Sequence, residues 1–151
     1  MSSFVIRDAR AGDAAPLGDV FRRASLSNES DRAPLLAHPD ALVWSGPPDP
    51  PARCRAAVPP EGGPPIGFAT TVRRGAALEL DDLFVDPDRM RQGVARRLID
   101  DAVRHARRQG VARIEVDGNP HALAFYLAVG FVVTGAIRTE FGAGHRLGLE
   151  V

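Results

Sequence analysis

Apolar residues at Leu17, Val20, Phe21 and Ala24 recur at three- and four-residue spacing, with Arg22 and Arg23 left to face water. This pattern predicts a helix that Asp13 can cap, with Pro16 in the first turn, where proline is tolerated. A short strand over 4–6 precedes it. A polar break over 25–31 follows, then a second short helix over 32–37 that stops near Pro39. Eight prolines crowd the stretch 47–65. Between them 52–58 reads as a strand, and Gly62-Gly63 as a turn feeding a strand over 66–72. Gly75 turns the chain again into a strand over 77–85. Together these predict a meander of antiparallel strands.

After Val85 the period changes. A loop over 86–93 leads into the strongest amphipathic segment, a helix over 94–109. Its buried positions are Val94, Leu98, Ile99, Ala102, Val103 and Ala106, and Gly110 is its C-terminal stop. Asp100 with Arg104, and Arg97 with Asp101, stand at pairing distance along it. Residues 112–117 alternate as a strand, so the strand–helix–strand unit from 77 to 117 implies one parallel pairing. A further helix over 121–129 stops at Gly130, and strands over 131–134 and 146–151 end the chain.

The length of 151 residues suits one domain covering the whole chain. Composition is that of a soluble globular protein, with 44% hydrophobic and 25% charged residues. Nineteen basic and nineteen acidic residues cancel, so bulk charge gives no support to nucleic-acid binding. All nineteen basic residues are arginine, which excludes a Schiff-base lysine. The single cysteine, Cys54, excludes an intrachain disulfide, and the four histidines lie at no metal-ligand spacing. No apolar run is long enough to span a bilayer. A cytoplasmic protein without metal and without membrane contact is expected, as monomer or homodimer.

Local charge is less even than bulk charge. Seven arginines lie between 89 and 108, against Asp88, Asp100 and Asp101. The loop 87–96 joins a strand end to a helix start. There the first backbone N–H groups lack internal partners and carry positive partial charge. Gly93 allows close backbone approach and Ala95 leaves space, so the junction reads either as an anion nest or as a solvated basic face. No P-loop and no G-x-G-x-x-G fingerprint is present.

Two motifs carry a resemblance. Leu80-Asp81-Asp82-Leu83-Phe84-Val85-Asp86-Pro87, followed by Gly93-Val94-Ala95-Arg96-Arg97-Leu98, resembles the GNAT (GCN5-related N-acetyltransferase) family. Its signature there is R/Q-x-x-G-x-G/A. The first position departs, since Met90 stands where arginine or glutamine is usual, with Arg89 and Arg91 beside it. The second motif runs from Asn119 to Gly135 and resembles N-x-x-A-x-x-F-Y-x-x-x-G-F-x-x-x-G. It matches at Asn119, Ala122, Phe125, Tyr126, Gly130, Phe131 and Gly135.

The resemblance implies an α/β (α+β) fold: a mixed, mostly antiparallel sheet with helices on both faces, its strands splayed at the acyl-CoA site. It implies acetyl-CoA as co-substrate, held by Phe84, Val85, Met90, Arg91, Gln92, Gly93, Val94, Ala95, Arg96, Asn119, Ala122, Phe125 and Tyr126. The implied reaction is direct attack by a primary amine, a small molecule or a peptide, through a tetrahedral intermediate. Tyr126 is the implied general acid. Glu79 stands where some members of the family place a general base; solvation or pairing with arginine is the other reading of Glu79, Asp81 and Asp82. Strict alternation places Glu79 and Asp81 on one face of the strand and Asp82 on the other. Candidates for the acceptor groove are Ser27, Asn28, Glu29, Asp31, Trp44 and Asp81. The alternative to the enzyme is an acyl-CoA-binding module of the same family with a regulatory or assembly role.

Overall fold

The computed structural model describes residues 4–139 and 142–151. Seven strands form one sheet: β1 (Val5–Asp8), β2 (Arg53–Val58), β3 (Gly67–Arg74), β4 (Ala77–Val85), β5 (Arg113–Gly118), β6 (Val132–Thr139) and β7 (Gly142–Glu150). Their order is β1-β2-β3-β4-β5-β7-β6. Every pairing is antiparallel except β4 with β5. That exception follows from the crossover helix α3 (Val94–Arg108), which returns the chain to the same end of the sheet.

Helices cover both faces. Leu98, Ile99, Ala102 and Ala106 of α3 bury against Leu78, Leu80, Ile114 and Val116 of the central strands. Tyr126, from the short α4 (Leu123–Ala128), joins that core. On the opposite face Leu17 and Val20 of α1 (Ala14–Leu26) pack on Cys54, Ala56, Val58 and Phe68. The helix α2 (Glu29–Ala37) adds a small cluster of its own, with Leu26, Leu35 and Leu42. Burial pushes the Cys54 thiol up to about 12, so it is a structural side chain rather than a reactive one.

Several details differ from the sequence reading. The helix α2 begins at Glu29, not at Arg32, and contains Pro34. Asp13 does not cap α1 through its side chain; its carboxylate takes two bonds from Arg7 and one from the backbone N–H of Arg10. The final hairpin is far longer than expected, with β6 reaching Thr139 and β7 starting at Gly142. Gly135, Gly142, Gly144 and Gly148 masked its alternation. On α3, Arg97 lies over the ring of Phe4, 4.8 Å from its centroid. Asp101 is buried and bonds across to β2, taking two hydrogen bonds from Arg55 at 3.1 and 3.0 Å and one from Arg53 at 3.4 Å. Register, not helical spacing, chose its partner.

The largest correction concerns the three carboxylates of β4. The β3–β4 register shifts between Thr70, opposite Asp82, and Thr71, opposite Leu80. Asp81 is therefore an extra residue, a β-bulge that resets the alternation. Before it, Leu78 and Leu80 face α3; after it, Leu83 and Val85 do. Glu79 and Asp82 consequently share the α1 face, where Phe84 also packs. Asp81 reaches Arg74, another residue of that face, through two bonds of 2.7 and 3.1 Å.

Two predictions concern these ion pairs. Asp101→Ala leaves Arg55 and Arg53 without their shared buried partner and is expected to destabilise by about 3 kcal/mol in urea unfolding. A loss below about 0.5 kcal/mol would show that solvent compensates both cations. Asp13 and Asp86 are held below the ordinary carboxylate value of 3.8, first by hydrogen bonding from Arg7 and Arg23 respectively. Folding lowers both values, so their stabilisation is complete above the ordinary value and is lost as pH falls through the lowered ones. The urea midpoint should therefore drop below about pH 4, and Asp86→Asn should flatten that acid limb. An unaltered limb in the variant would remove Asp86 from the acid response.

Candidate active site

The site begins where β4 and β5 part. They pair at three positions only, Leu78–Ile114, Glu79–Glu115 and Leu80–Val116. Beyond these β4 continues to Val85 and β5 to Gly118 without pairing to each other. Backbone groups along the β5-facing edge of residues 81–85 thus have no strand partner among the described residues, and a ligand inserted there would meet ready donors and acceptors.

At the end of β4 the chain passes a short turn, Pro87–Arg89, and enters α3. The carboxylate of Asp86 accepts from the backbone N–H of Asp88 and takes two bonds from Arg23 of α1, at 2.7 and 3.1 Å. This ties the loop to the helix across the sheet. Arg91 and Gly93 both lie in the left-handed region, with φ of 66° and 79°. Gly93 is the N-cap of α3 and supplies no capping side chain. A Cβ added there would meet nothing within 4 Å, so glycine serves the backbone turn and the open approach rather than tight packing. The first-turn N–H groups of a fifteen-residue helix therefore face an open cradle. Arg91 and Arg96 are exposed beside it and form no ion pair among the described residues. Met90 is 61% exposed and adds no hydrogen-bonding side chain. An anion placed here would meet the unpaired N–H groups of the helix start.

On the β5 side of the gap stands Tyr126. It is buried, with its ring against Phe125 and Phe131 at centroid distances of 5.4 and 5.2 Å. It also lies against Gly118, where an added Cβ would come within 3.3 Å of the ring. The hydroxyl has no hydrogen-bond partner among the described residues, and burial pushes its pKa up. Asn119 directs its side-chain oxygen to the backbone N–H of Ala122 at 2.9 Å, so it shapes the entry to α4. Ala122 and Phe125 are partly buried against the core.

On the α1 face Glu79 is buried, and both of its oxygens accept from Arg146. Arg146 also donates to Glu115 and Asp117. Sequence reasoning missed Arg146, although acidic residues at 79, 115 and 117 on one face needed a cation. Trp44 lies 4.7 Å from Phe68 between ring centroids, and its indole N–H donates to Asp82 at 3.2 Å. Of the other groove candidates, Ser27 bonds its own helix, and Glu29 is exposed in the first turn of α2. Asn28 is the N-cap of α2 without a side-chain cap bond. Asp31 lies 3.2 Å from the imidazole of His121, which links α2 to the loop before α4. The structure brings Trp44 to the splayed half of β4 but gives Ser27, Asn28 and Glu29 no bond to it.

Comparison with solved structures finds this architecture in acetyltransferases. A GCN5-related N-acetyltransferase from Rhodopseudomonas palustris superposes with a TM-score of 0.79 over 100% of this chain and 98% of its own, at 21% identity. The PaiA N-acetyltransferase from Thermoplasma acidophilum, solved in complex with coenzyme A, gives 0.73 over 99% and 100%, at 15% identity. The ribosomal-protein-S18-alanine N-acetyltransferase from Escherichia coli gives 0.73 over 98% and 94%, at 20% identity. No curated protein matches the sequence. The family model for the acetyltransferase (GNAT) domain matches residues 56–145, which spans the splayed strands, the cradle at α3 and the helix of Tyr126. With more than half of its length under that model, the chain belongs to the GNAT acetyltransferase family.

Proposed function

We propose that this protein is an N-acetyltransferase that moves an acetyl group from acetyl-CoA to a primary amine. The observation that carries the reading is the gap between β4 and β5, flanked by an uncapped helix N-terminus on one side and, on the other, a phenol without a partner among the described residues. Acetyl-CoA supplies an activated thioester. The backbone N–H groups around Gly93, Val94 and Ala95 would hold its pyrophosphate, with Arg91 and Arg96 adding screened positive charge. The free edge near Phe84 and Val85 would position the pantetheine arm, and a backbone N–H there would meet the carbonyl oxygen. The amine, in its neutral form, would attack the thioester carbon; as the C–S bond breaks Tyr126 would give its proton to the departing sulfur, and the proton shed by the nitrogen would restore the phenol through solvent. Burial raises its pKa, which makes it a weaker acid than free tyrosine, and its proton is present at neutral pH with or without that shift. Both oxygens of Glu79 are engaged by Arg146, so Glu79 organises that side of the groove and no base role is assigned to it.

Acetyl-CoA with a panel of primary amines, read by release of free thiol, tests the reading. Thiol release that depends on the amine supports transfer; binding of CoA with no release on any amine favours a binding module instead. Tyr126→Phe is expected to lower turnover by about 10–100-fold with acetyl-CoA affinity unchanged. Unaltered turnover would remove Tyr126 from the proton-donating role. Gly93→Glu combines a left-handed backbone position with a like charge in the anion cradle, so CoA binding should be lost in a thermal-shift titration. Retained affinity in a folded variant would overturn the cradle assignment.

A further inference from the structure

We infer that Asp82, with the ring of Trp44 as its wall, is the anchor for the acceptor and that it selects amines that arrive as cations. The inference rests on the transfer reading and specifies its second substrate. Five carboxylates stand on this face of the central strands. Glu79, Glu115 and Asp117 are bonded by Arg146, and Asp81 by Arg74. Asp82 differs from them all. Its two partners, the hydroxyl of Thr70 at 2.5 Å and the indole N–H of Trp44 at 3.2 Å, are neutral, and both donate to Oδ2. Oδ1 accepts no hydrogen bond among the described residues, and no arginine pairs with this carboxylate. A half-buried anion held by neutral donors keeps its full charge available to a ligand.

Its surroundings suit an organic cation. Trp44 packs at a tilt on Phe68, Phe68 lies 5.7 Å from Phe84, and Phe84 meets Phe21 edge-on at 4.8 Å. Trp44, Phe84 and Phe21 are each only partly buried, so aromatic surface borders the carboxylate. An ammonium next to an aromatic wall gains attraction from the ring as well as from the anion. The ammonium is the docking form; its nitrogen sheds one proton to solvent before the lone pair attacks the thioester carbon. The position is also right. Asp82 lies two residues past Leu80, where β4 leaves β5, so a ligand on Oδ1 sits at the splayed half of the strand. The bulge at Asp81 turns this carboxylate to the α1 face. The thioester side of the strand uses backbone groups and the acceptor side uses this side chain, so the two substrates do not compete for donors.

Benzylamine, protonated at pH 7, and benzyl alcohol, its neutral counterpart of similar shape, separate charge from shape. Binding of each to the CoA-loaded protein is measured by calorimetry for wild type, Asp82→Asn and Trp44→Ala. Wild type is expected to prefer benzylamine at least tenfold, Asp82→Asn to bind both probes alike, and Trp44→Ala to weaken both while keeping the preference. A wild type without preference, or an Asp82→Asn variant that keeps it, overturns the assignment of the carboxylate. Unchanged affinity in Trp44→Ala overturns the aromatic wall. The transfer reading fails on a different result, the absence of thiol release on any amine while the preference for the cation stands.

Discussion

The parting of β4 from β5 after Leu80 and Val116 is the constraint on which the rest of the molecule depends. A sheet interior normally satisfies every backbone group through its neighbours. Here two central strands keep only three paired positions and then diverge, leaving a polar slot in the middle of the fold. The slot survives because the divergent ends are held from outside. Val85 leads into a loop that Asp86 ties to Arg23 of α1, while Gly118 leads into α4, whose tyrosine packs against that glycine. Both ends therefore remain fixed although they do not bond each other.

The bulge at Asp81 is the second half of the same device. Without it, the alternation of β4 would send Asp82 to the α3 face and into the main hydrophobic core. With it, Leu83 and Val85 continue the buried face begun by Leu78 and Leu80, and the charged residues gather on the other. One inserted residue thus reconciles a continuous core with a polar groove. The neighbouring arginines then sort the carboxylates. Arg146 and Arg74 neutralise those that organise the face, and among the described residues Asp82 is left with neutral donors.

The solved acetyltransferases that share this architecture do so at about one residue in five or fewer. Such divergence is intelligible when the ligand-facing elements are backbone: a free strand edge and an uncapped helix start need small residues and a left-handed turn, not particular side chains. Met90 illustrates the point. It is exposed at the rim of the cradle, and the helix N–H groups are present whatever side chain it carries.

The sequence by itself determined the elements and the donor-side motifs. The period of α3, the alternation of β5, the glycines at 93 and 110 and the spacing from Asn119 to Phe131 are local signals, and local physics fixes what they mean. The antiparallel meander and the single parallel pairing also followed, because a helix between two strands forces the crossover. Tertiary structure alone decided the faces and the partners. A bulge inverts alternation without leaving a mark in the composition, so the placement of Asp82 was not legible. Asp101 found Arg55 across the sheet rather than Arg97 along its helix, and Glu79 found Arg146 at a separation of 67 residues. Ion pairs form where register brings charges together in space, and register is a property of the assembled sheet.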